Sequence, residues 1–168
     1  MKKTLFSLAL LSLFPARAEV RHQATVKGSV TCKGRTAKVL DAVALVGKNP
    51  DLYLLFLFEQ KLKPTEVKAL LDNPTPELQK PRSVAYLAVD LKGRNRVPRI
   101  ALIATPYTSL SEDDASSAVQ ILAGSPPRIR VDYQRSRAES LGVEAFSVNF
   151  SVVCPALATK ADTIFTDL

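Results

Sequence analysis

The sequence predicts a mainly β domain, an antiparallel sandwich or barrel-like fold with two short helices, and three observations predict it. Apolar and polar residues alternate in steps of two through residues 26–32, 83–91, 128–134 and 143–154, the period of a half-buried strand. Clusters such as Lys33-Gly34-Arg35, Gly47-Lys48-Asn49-Pro50-Asp51 and Gly93-Arg94-Asn95 separate these runs, as turns do. Residues 52–58 are apolar throughout, as a strand covered on both faces is. An α+β sheet with both helices on one face is the alternative architecture.

Ahead of the first strand, residues 1–18 read as a cleavable leader. Lys2 and Lys3 give a positive start, residues 5–14 are uncharged, and Pro15-Ala16-Arg17-Ala18 offers small residues where a signal peptidase reads. Cleavage is expected after Ala18. The apolar run is too short for a stable membrane anchor, which needs about 20 residues. The expectation is therefore a periplasmic or secreted protein with a bacterial type of leader. Its organisation is a flexible N-terminal segment over 19–25, a single β-rich domain over 26–155 and a C-terminal tail over 156–168.

The first strand places Val26, Gly28, Val30 and Cys32 on one face, and Lys33-Gly34-Arg35 turns it into a second run over 37–46. Asp41 interrupts that run's apolar face, and is read as a bulge or strand-end residue that reaches solvent, as is Glu59. Residues 64–71 read as a short helix, with Pro64 in the first turn and Val67, Leu70 and Leu71 sharing a face. Pro74, Pro76 and Pro81 make the following stretch a loop. A hairpin of residues 83–91 and 99–105 comes next. Ser111 then caps a second helix over 112–123, with Glu112, Asp113 and Asp114 at its positive end and Gly124 closing it. Strands over 128–134 and 143–154 complete the set.

The hairpin residues Gly28, Val30, Cys32, Gly34 and Arg35, followed by Val39, Ala42 and Ala44, carry a resemblance. They resemble the opening hairpin of an uncharacterised family of exported bacterial β-rich domains, in which a strand and a short Pro-containing helix follow, as over 52–71 here. The resemblance covers the first third of the mature chain and implies a β-rich fold. Cys32 departs from it, standing where an aliphatic residue is usual, and so does the helix expected over 112–123.

The two cysteines, Cys32 and Cys154, are an even pair in an oxidising compartment, and each closes the apolar stripe of its strand. A structural disulfide between the first and last strands is the expectation.

Composition narrows the chemistry. The net charge of +7 falls to +4 once Lys2, Lys3 and Arg17 leave with the leader. His22 is the sole histidine; it stands near the mature N-terminus and reads as a surface residue of a mobile segment. With so few His and Cys ligands no metal site is expected, and no glycine-rich phosphate loop is present. No catalytic residues are assigned and no cofactor is expected. The absence of Trp and the export compartment argue against nucleic acid. Asn149-Phe150-Ser151 matches a glycosylation sequon but falls within a predicted strand. Arginines cluster instead. Arg94, Arg96 and Arg99 surround one hairpin, and Arg128 and Arg130 mark a later strand. Together they are the candidate surface for an anionic partner. The functional expectation is a non-catalytic exported binding domain that recognises a protein or envelope component, with enzyme inhibition by an arginine-bearing loop as its sharpest form. A carboxylate-based hydrolase of cell-wall or polysaccharide substrates and a carrier of an apolar ligand are the alternatives.

Overall fold

The computed structural model describes residues 22–73, 83–105, 109–111, 115–138 and 145–159. Ten strands form one curled sheet, a half-barrel. They are β1 (Thr25–Cys32), β2 (Arg35–Lys38), β3 (Asp41–Val46), β4 (Leu52–Phe58), β5 (Ser83–Lys92), β6 (Val97–Ala104), β7 (Ser109–Ser111), β8 (Val119–Leu122), β9 (Arg128–Arg137) and β10 (Phe146–Ala158). One α-helix, α1 (Pro64–Asp72), lies among the described residues. The mainly β expectation holds. No helix among the described residues is long and apolar enough to cross a membrane.

The sheet has two wings that share β10. Phe146 to Val153 pair with β1 on one side, and Phe146 to Pro155 pair with β9 on the other. Ala156, Leu157 and Ala158 then pair with Ala44, Leu45 and Val46 of β3. This pairing is parallel, so the sheet is mixed rather than wholly antiparallel. The strand also continues three residues into the segment that the sequence assigned to a tail. β2 and β8 flank the first wing, and β4, β5, β6 and β7 extend the second.

The chain changes wings at one corner. Val39 N–H donates to Gly28 O at 2.9 Å in the first wing, and the next residue, Leu40, donates through its N–H to Phe58 O at 2.8 Å in the second. The single strand expected over 37–46 is therefore two.

Alternation decides which surfaces are covered. The inner faces of both wings enclose one core, in which Val30, Val131, Val148 and Val152 meet Leu55, Leu57, Leu87 and Ile100. The opposite face of the second wing is apolar as well. Val43, Leu54, Phe56 and Phe58 pack there beneath Val67 and Leu70 of α1. Pro64 opens that helix, and Glu66 accepts the Lys63 N–H at 2.8 Å, which satisfies one exposed donor of its first turn. β4 is thus covered on both sides, as its unbroken apolar run requires. The outer face of the first wing carries polar residues and stays exposed.

The expected second helix is corrected. Glu112, Asp113 and Asp114 lie outside the described residues. Ala115–Ala118 is a single 3₁₀ turn, and Val119–Leu122 is strand β8. Val119 and Ile121 face Val131 and Ile129 across the pair while Gln120 is exposed. That two-residue period and the pairing partner on β9 override the capping signal.

Candidate binding surface on the outer face of the half-barrel

Three adjacent strands, β1, β10 and β9, set out the polar face in registered rows. Lys27, Ser151 and Asp132 form one row, and Ser29, Asn149 and Gln134 form the next. Between them runs the row Gly28, Phe150 and Tyr133, whose two rings point inward and stand 6.0 Å apart. Together these residues line an open groove of about 390 Å³.

Gly28 lets the groove form. Its φ is +127°, which residues with a Cβ rarely adopt. A Cβ there would meet the Asn149 carbonyl oxygen at 2.1 Å and the Phe150 Cα at 2.5 Å. β1 therefore lies against the β10 backbone at this point.

The groove offers one cation, one anion, two amides and two hydroxyls from strand-held side chains. That set can donate and accept hydrogen bonds to a polar, uncharged surface such as peptide backbone. The rings of Tyr133 and Phe150 are buried and give no exposed stacking platform. The alternation through residues 26–32, 128–134 and 143–154 gives each of these strands a polar side. It does not show that these six residues meet, because residues near 28, 133 and 150 become neighbours only once the strands are registered. Asn149 of the sequon is one of them.

The predicted arginines do not act as one face. Arg99 folds onto Asp90, with its Nε 2.7 Å from Oδ1 and its Nη2 3.0 Å from Oδ2. Arg96 is paired with Asp51 at 2.5 Å. Arg94 sits in the β5–β6 turn, and Arg128 and Arg130 project exposed from β9. The first three thus belong to the second wing and the last two to the first wing.

The cysteines are not brought together, and the expected bridge is corrected. Cys32 is registered opposite Phe146. Cys154 lies eight positions further along β10, about 26 Å of extended strand. A disulfide needs Cα atoms within about 7 Å. Both are buried free thiols. Cys32 Sγ lies 3.7 Å from Thr105 Oγ1. Burial pushes the Cys154 thiol up to about 12, with Asp41 adding to the rise and the Ala44 backbone and Arg128 opposing it.

His22 and Asp41 are also corrected. Asp41 is 3% exposed. Its Oδ1 accepts from His22 Nε2 and from the Ala42 N–H, and its Oδ2 from the Leu62 N–H, each at 2.9 Å. Burial pushes this carboxyl up, but the His22 hydrogen bond, the two backbone N–H groups and the charge on His22 outweigh it and hold it below its ordinary value. His22 is no loose surface residue, since its side chain is 9% exposed. This pair fastens the corner between the wings to the chain entering β1 and to the residue before the helix cap. Glu59, by contrast, is exposed, and both its oxygens accept from Arg35 Nη2, at 2.7 and 2.8 Å.

Among the described residues no three His, Cys, Asp or Glu side chains gather as a metal site. Comparisons with family models, with curated proteins and with solved structures find no match for this chain.

Proposed function

We propose that the chain is an exported, non-catalytic binding domain that engages a protein partner of the cell envelope through the outer face of β1, β10 and β9. The groove is the observation that carries this reading. The second wing's outer face is covered by α1, while the first wing keeps an open, concave polar face of about 390 Å³. A polar, hydrogen-bonding surface over a rigid apolar core suits recognition more than chemistry. Among the described residues Asp90, Asp51, Glu59 and Asp72 are engaged by Arg or Lys, Asp41 is buried in its corner, and Asp132 is the carboxylate that lines the groove. The leader-like first 18 residues and the hairpin resemblance to exported bacterial domains support the compartment.

The test is affinity capture. Tagged protein lacking residues 1–18 is cross-linked in envelope extract beside a doubly substituted form, Asn149→Arg with Ser151→Arg, which fills the groove from exposed positions. One protein enriched by the parent and lost by the variant is the expected result. Equal enrichment by both overturns the assignment of the surface, and no enrichment over a charge-matched control overturns the binding reading.

A further inference from the structure

The hairpin of β5 and β6 outruns both of its neighbours. β4 begins at Leu52, opposite Asp90, and β7 reaches no further than Leu102. Leu91 with Pro98 and Lys92 with Val97 pair beyond these limits, and residues 93–96 close the turn. Among the described residues, then, a two-stranded tip projects past the sheet. It is built to hold one shape. Gly93 has a φ of +75° and Arg96 a φ of +49°, and the Arg96 N–H donates to Gly93 O at 3.1 Å. One side of its base is tied to the turn between β3 and β4. There the Leu91 N–H donates to Asp51 O at 2.8 Å, and the Arg96 guanidinium pairs with Asp51 and lies 3.5 Å from Pro50 O.

These ties sort the cations. Arg96 and Arg99 are engaged by Asp51 and Asp90. Lys92 and Arg94 are exposed and have no side-chain partner among the described residues. Four cations thus stand against two carboxylates, and the excess sits at the apex. Val97 lies directly opposite Lys92, so the two side chains share a face. Val97 is 47% exposed, more than any other large apolar residue described. An exposed valine beside two unengaged cations matches the boundary of a membrane. The apolar group enters the headgroup layer while the long basic side chains reach the phosphates. An acidic protein would attract the same cations, but residues 90–99 hold no aromatic side chain, the anchor that fills pockets in protein interfaces.

We propose that the β5–β6 tip, through Lys92, Arg94 and Val97, docks the domain on an anionic lipid surface. Arg96 and Arg99 are the braces that hold it in shape. The groove lies on other strands and shares no residue with the tip, so this inference goes beyond the protein-binding reading and does not rest on it.

Co-sedimentation of the protein lacking residues 1–18 with lipid vesicles tests it. One set is phosphatidylglycerol and phosphatidylcholine in equal parts, the other phosphatidylcholine alone. Binding is expected on the first set only. It should weaken as salt rises from about 0.01 M to about 0.15 M, which shortens the screening length from about 30 to about 8 Å. A basic side chain near an anionic surface strengthens binding about fivefold, so Lys92→Gln with Arg94→Gln should lower affinity by about twentyfold. Arg128→Gln with Arg130→Gln removes the same charge from exposed positions on β9 and should change affinity by less than about threefold. Val97→Trp introduces a sole tryptophan, whose emission should move to the blue on the anionic vesicles. Leu40→Trp, also at an exposed position but at the opposite end of β3 from this turn, should not shift. The proposal is overturned by no preference for the anionic vesicles, by equal losses from the two charge pairs, or by tryptophan emission that stays still at position 97 or moves equally at position 40. Binding to poly-glutamate without binding to vesicles overturns it too, and marks an acidic protein as the partner.

Discussion

His22 Nε2 donates to Asp41 Oδ1 at 2.9 Å, with Asp41 buried and His22 partly so, and this contact joins the first described residue to the corner where the chain changes wings. Asp41 also accepts two backbone N–H groups there, from Ala42 and Leu62. Asp41→Ala leaves three buried donors without their acceptor. Each such loss costs about 1–3 kcal/mol, so the variant should be destabilised by roughly 3 kcal/mol or more. His22→Ala removes one of the three contacts and should cost about 1–2 kcal/mol. Urea denaturation of both variants beside the parent measures the difference.

Acid should weaken the same corner. The Asp41 carboxyl is held below 3.8, its unfolded value, so the folded state favours the charged form. Its contribution to stability is fully present above that value and is lost as the pH falls through the lower folded value. Denaturation midpoints measured from neutral pH down to about pH 2 should fall steeply at the acid end. Asp41→Asn should start lower at neutral pH and show a shallower acid decline. Parallel profiles for the two proteins would refute this role.

Gly28→Ala tests the close approach of β1 to β10. The new methyl group would overlap the Asn149 carbonyl and impose a φ that alanine disfavours. A loss of more than about 1 kcal/mol is expected, with partner capture reduced as the groove changes shape. Gly34→Ala is the control, because a Cβ at Gly34 meets nothing within 4 Å. It should carry the cost of its positive φ alone.

Thiol chemistry separates the observed cysteines from a bridged pair. The native protein should react slowly with a thiol reagent at pH 8, since both groups are buried and Cys154 is pushed up to about 12. Denaturation without reductant should then expose two thiols. Finding none would mean that the cysteines are oxidised and that β1 and β10 are not registered as described.

Much of this architecture was legible because its signal is local. The unbroken apolar run of β4 marked a strand covered twice, the alternation of β9 marked a half-exposed one, and Pro64 with Val67 and Leu70 marked the helix. β8 was misread because the acidic run Glu112 to Asp114 is a helix-start signal in sequence, while the deciding partner of Val119–Leu122, β9, lies further along the chain. Asp41 was misread for a similar reason. An acid in an apolar run is a liability in isolation, and its donors come from residues 22, 42 and 62. The cysteines show the converse. Both sit on inward stripes, as the pattern said, yet sharing a face does not bring two positions on neighbouring strands level.

The strand shared by both wings is also the last one described along the chain. Until Phe146 to Ala158 has emerged, β1 and β9 have nothing between them, and β3 lacks one neighbour. The inner core therefore cannot close progressively from the N-terminus, and its contacts are long-range in sequence, the condition that slows folding. A half-made chain stays open. Loss of β10 would therefore part three strands at once, because β1, β9 and β3 each pair with it.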